Sequence, residues 1–122
     1  GAAYYTHHFF GPGRWVGKAF YPAEKDQGYG HNIFQDAGGK IYRTRKMDTS
    51  IGLSDYDGKP SFKLNYGAYN SGTVNSMRDE LRKINDNLFI GLGYMGLGGG
   101  KINPAPFVLT GPAKEWVGVD RP

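Results

Sequence analysis

Glycine constrains this chain more than any other residue: 20 of its 122 positions are glycine, against roughly 7% in average proteins. Each glycine inside a helix costs about 1 kcal/mol relative to alanine, whereas tight turns need the backbone freedom that glycine supplies. Many of these glycines sit in short clusters between apolar or aromatic runs, as in Gly11-Pro12-Gly13, Gly38-Gly39 and Gly98-Gly99-Gly100. Such punctuation favours many short strands. The length is that of one domain, able to bury roughly two-thirds of its unfolded surface. Hydrophobic residues at 39% and charged residues at 21% are a globular composition.

Between the turns, apolar and polar residues alternate. Arg14 to Tyr21 reads as the first strand, with Trp15, Gly17 and Ala19 on one face. Asn32 to Gln35 and Lys40 to Met47 read as a hairpin across Asp36-Ala37-Gly38-Gly39. Its second strand places Ile41, Arg43, Arg45 and Met47 opposite Tyr42, Thr44 and Lys46. After the Asp57-Gly58 turn, Phe62, Leu64 and Tyr66 alternate with Ser61, Lys63 and Asn65, the pattern of a half-buried strand. Residues 77 to 84 admit two readings. Met77, Leu81 and Ile84 fall at helical spacing behind a Ser76/Asp79 capping box, but the Asp86-Asn87 turn into Leu88-Phe89-Ile90 favours a hairpin strand. Ala105 to Thr110 and Glu115 to Val119 read as the last two strands. The expected architecture is all-β, a single antiparallel barrel of seven to eight short strands over residues 13–122, with an N-terminal aromatic arm at residues 1–12.

Several function classes drop out. With no cysteine, disulfides and thiol chemistry are excluded. The apolar-looking stretch Leu88 to Leu97 falls short of the roughly 20 residues that span a bilayer, so no membrane-spanning segment is expected. The net charge of +4 is spread along the chain except at Arg43, Arg45 and Lys46, and with no recognised motif no nucleic-acid partner is expected. Gly91-Leu92-Gly93-Tyr94-Met95-Gly96 fits the GxGxxG pattern of dinucleotide sites, but only 26 residues follow it, too few for the βαβ context that motif requires. His7, His8 and His31 lack carboxylates at ligand spacing, so neither a metal nor a cofactor is expected. A chain opening on Gly1 is compatible with processing of an organellar protein, and the compartment stays open.

The run Gly13-Arg14-Trp15-Val16-Gly17-Lys18 resembles the GxWxG signature of a group of small lipocalin-like proteins. Asp57-Gly58-Lys59-Pro60 through Leu64-Asn65-Tyr66, then Met77 through Gly91 and Pro106-Phe107-Val108-Leu109, look like the second half of that group. The resemblance covers roughly residues 13–110. It implies a lipocalin-like barrel, and such barrels mostly bind hydrophobic small molecules, with a minority acting as enzymes. The glycine-rich loop at 96–100 and the aromatic arm depart from the pattern.

Three readings of function follow. In the first, a noncatalytic protein binds a hydrophobic small molecule of lipid or pigment class, with Trp15, Phe62, Tyr66, Leu81, Tyr94 and Phe107 lining the cavity. In the second, an accessory subunit docks to a larger organellar membrane complex, photosynthetic or respiratory, through Tyr4, Tyr5, Phe9 and Phe10 of the arm and Trp116 of the tail; the same aromatics can instead fold back to seal the barrel. In the third, a lyase or isomerase uses a buried carboxylate, Asp79 or Glu80, as general acid or base.

Overall fold

The computed structural model of the chain describes residues 1–6, 14–70, 72–94 and 105–118. The described residues form eight strands: β1 (Ala2–Tyr5), β2 (Arg14–Pro22), β3 (Gln27–Gln35), β4 (Ile41–Leu53), β5 (Pro60–Asn65), β6 (Arg78–Asn85), β7 (Leu88–Tyr94) and β8 (Ala105–Glu115). Each pairs antiparallel with the next, and β1 also pairs with β8, so the meander closes into a barrel. Closure gives every one of these strands a neighbour on both sides. The protein is therefore all-β, a lipocalin-like antiparallel barrel. Among the described residues no helix is long and apolar enough to cross a membrane.

Residues 78–85 are strand β6, and Asp86-Asn87 turns it into β7. Other expectations are corrected. Ala2–Tyr5, expected in a separate arm, is the strand that closes the barrel between β2 and β8. The two strands expected near the end are one, Ala105–Glu115, and residues 116–118 lie outside it. The alternation read along residues 41–47 breaks at Arg45. Asn32 pairs Thr44 but Gly30 pairs Met47, so β4 carries an extra residue, and Arg45 adopts φ 57° there. This bulge returns Met47 to the inner face that Tyr42 and Thr44 occupy. A second irregularity, between Trp15 and Gly17, breaks the shared face expected for Trp15, Gly17 and Ala19.

Two apolar clusters lie on opposite faces of the wall. The inner one is built on Met47, Leu64, Tyr66, Leu81 and Leu109, with Tyr4, Trp15, Phe20, Phe62, Phe89 and Phe107 packed against it. The outer one joins Ala3, Val16, Ala19 and Ile33 on β1–β3 to Tyr5, Ile41 and Trp116. One end of the barrel is capped by residues 66–70 and 72–77, where a short 3₁₀ helix (Gly72–Ser76) brings Val74 to the inner cluster beside Met77. Asn70 Nδ2 donates to the Lys46 and Tyr66 carbonyls, and Asn75 Nδ2 to those of Gly67 and Asn70, which fixes the cap.

Candidate functional site

The barrel interior has two tiers, and the chemistry of each follows from which inner-face residues meet across it. At the end away from the cap the interior is open. A cavity of about 740 Å³ is lined by Tyr4, Phe20, Phe62, Leu81 and Phe89, with Ala2, Pro22, Ile51, Pro60 and Lys83 around its mouth. The aromatic lining is mutually braced. Phe20 meets Phe62 edge-on with centroids 5.2 Å apart, and Tyr4 meets Phe89 the same way at 4.7 Å. Edge-to-face pairs of this kind add stability beyond their buried area.

Nearer the cap the interior is filled by a buried polar network. Lys18 Nζ donates to Asn32 Oδ1 at 2.7 Å and to the Tyr66 hydroxyl at 2.6 Å, and lies 3.0 Å from Asp79 Oδ2. Tyr66 Oη donates to Asp79 Oδ2 at 2.7 Å and accepts from Asn32 Nδ2 at 3.2 Å. The ammonium thus has three oxygen partners, as many as it has protons. The Trp15, Tyr66 and Phe107 rings surround it at 5.2–5.3 Å. Burial lowers the Lys18 pKa, with the Asp79 carboxylate opposing the shift. Burial, reinforced by Asp79, pushes the Tyr66 hydroxyl well above its ordinary range. Such a saturated ion pair holds β2, β3 and β6 together across the barrel axis.

The glycines of the GxGxxG run explain how the network fits. Gly91 and Gly93 lie in β7, opposite Leu81 and Asp79 of β6. A Cβ on Gly91 would overlap the Phe107 ring and come within 2.7 Å of Leu81 Cδ2, and one on Gly93 would sit 2.6 Å from Asp79 Oδ1. These glycines make room for inner-face side chains. Met95 and Gly96 lie outside the described residues.

A third feature lies on the outer wall, where the β4–β5 loop folds over β6 and β7. Glu80 accepts the Asp55 N–H at 2.8 Å, and Tyr94 donates to Asp55 Oδ2 at 2.9 Å. Arg82 forks onto both oxygens of Asp57. A groove of about 300 Å³ runs beneath, lined in part by Tyr56, Glu80, Arg82, Ile84, Ile90 and Leu92. Burial, then the Asp55 hydrogen bond, pushes the Tyr94 hydroxyl up to about 12.

The sequence candidates separate accordingly. Phe62 and Leu81 line the open cavity. Tyr66 belongs to the polar network, and Trp15 and Phe107 pack edge-on beside it, centroids 5.5 Å apart. Tyr94 is on the outer wall. Asp79 is ion-paired to Lys18, whereas Glu80 anchors a surface loop. Of the docking candidates, Tyr4 is inside the barrel and Tyr5 packs on the outer cluster. Trp116 lies against Tyr21, Tyr29 and the fully buried His31. Phe9 and Phe10, with His7 and His8, lie outside the described residues. Phe20 and Phe89, which the sequence offered among the strand aromatics able to line a cavity, do line it, whereas sequence reasoning missed Lys18, Asn32 and Lys83. The available signal was Lys18 itself, a charge two residues before Phe20 on the same face of a strand.

The fold and interior define a class: a closed eight-stranded barrel with a polar, filled lower tier and an apolar, open upper one. No family model, curated protein or solved structure matches the chain.

Proposed function

We propose that this protein is a noncatalytic binder of a hydrophobic small molecule, taken up through the open end of the barrel. The cavity carries the reading. Its 740 Å³ falls in the roughly 300–1,000 Å³ range of small-molecule sites, and its aromatic and aliphatic wall is the usual chemistry of such sites. The resemblance of Gly13 to Lys18 to the lipocalin-like signature points the same way. The enzyme reading has less behind it. Lys18, Asn32, Tyr66 and Asp79 are not among the described residues lining the cavity, and each member of the network already has partners inside the protein. The subunit reading loses three of its aromatic handles, because Tyr4, Tyr5 and Trp116 pack on the barrel itself.

The test is fluorescence titration with N-phenyl-1-naphthylamine, a neutral apolar probe. Saturable binding is expected, and Ala2→Trp, which fills the cavity at its mouth, is expected to weaken it at least about ten-fold, the equivalent of roughly 1.4 kcal/mol. A probe that does not bind, or binds the variant equally well, rejects the proposal.

A further inference from the structure

Resting on that binding role, we infer that the occupant is a single-chain amphiphile whose anionic head sits on the Lys83 ammonium at the rim while its tail enters the cavity. Strand register sets the geometry. Asp79, Leu81 and Lys83 alternate on the inner face of β6, opposite Gly93, Gly91 and Phe89 of β7. Asp79 is in the filled tier and Leu81 in the cavity wall. Lys83, two residues further, leaves the inner face where the barrel opens.

The charged side chains lining the cavity among the described residues are Arg82 and Lys83, both cationic. The described residues of that lining hold no carboxylate, and the partners of the two cations, Asp57 and Asp86, stand just outside it. The two cations differ in availability. Arg82 has its guanidinium committed to both oxygens of Asp57. Lys83 is paired at 2.9 Å to Asp86 three residues on, and the two are 57% and 91% exposed. An exposed pair of this kind contributes little in water, so an incoming anion displaces Asp86 at small cost. A charged head is expensive to bury in an apolar interior, which keeps it at the mouth with the tail inside. A neutral ligand gains nothing from Lys83, and a cationic one is repelled.

The experiment compares laurate, dodecanol and dodecyltrimethylammonium, below their micelle concentrations, as displacers of N-phenyl-1-naphthylamine. It uses the wild-type chain, Lys83→Gln and Lys83→Arg. In the wild type, laurate is expected to displace the probe at about three- to five-fold lower concentration than dodecanol, and the cation only at higher concentration. Lys83→Gln abolishes laurate's advantage, Lys83→Arg keeps it, and roughly 1 M salt shrinks it by screening. Dodecanol matching laurate in the wild type, or an advantage that survives Lys83→Gln, overturns the inference while leaving apolar binding intact. Failure of the probe itself to bind removes the binding role, and this inference with it.

Discussion

The Tyr66 hydroxyl accepts from Lys18 and Asn32 while donating to Asp79, so three buried polar groups depend on one oxygen. Tyr66→Phe leaves all of them short of a partner and is expected to cost about 1–3 kcal/mol in chemical denaturation. Lys18→Met goes further, because it strands the buried Asp79 carboxylate, and about 3–5 kcal/mol is expected. Adding Asp79→Leu to Lys18→Met removes the orphaned charge and recovers most of that loss. A double variant as unstable as the single one would show that Asp79 does not depend on Lys18. Asp79 was legible in the sequence as a carboxylate that shares a strand face with Met77 and Leu81. Its partner was not, since nothing in a sequence pattern pairs position 18 with position 79.

Loop 54–59 is short, polar and tied down by its own turn chemistry, which makes it an element rather than a slack connection. Ser54 Oγ accepts the Tyr56 N–H at 3.0 Å, and Asp57 Oδ1 accepts that of Lys59 at 3.0 Å. The Arg82 hydrogen bonds, then the Lys59 N–H, hold the Asp57 carboxyl well below the usual carboxylate range. A carboxylate with a depressed folded pKa stabilises the fold above its unfolded value of about 3.9, and that contribution fades as pH falls toward the folded value. Thermal unfolding followed from about pH 5 down to about pH 2, across and below the unfolded value, should therefore lose less stability in Asp57→Asn than in the wild type. Equal slopes would separate the loop from the acid sensitivity of the protein. The Asp57-Gly58 turn was readable from residue type, and Gly58 does adopt φ 70°. That the loop folds over β6 and β7 rather than standing free was not, because Glu80 and Arg82 reach it from about 25 residues away.

At the scale of the whole molecule, closure depends on four residues. Ala2–Tyr5 pair with β2 on one side and β8 on the other, and Tyr4 also supplies part of the cavity wall. Deleting residues 1–6 should open the barrel, expose the edges of β2 and β8, and unbrace Phe89. The truncated chain is expected to lose its cooperative thermal transition by circular dichroism and to self-associate on size-exclusion chromatography. A monomeric, cooperatively folding truncation would show that β1 is dispensable to the barrel.

The sequence by itself determined most of the strands and turns, and which residues share a face where a strand runs without a bulge. Alternation places Phe62, Leu64 and Tyr66 together, and the two-residue turn at Asp86-Asn87 makes β6 a strand despite its helical spacing. These are local properties, set by the period of the backbone and by turn chemistry. Only the tertiary structure decided what faces what across the barrel. It turned Met47 inward through the bulge at Arg45 and set Lys18 against Asp79. It also placed Tyr4 in a cavity instead of on a partner. Closing a meander joins strands remote in sequence, and alternation along one strand carries no information about the strand across the axis.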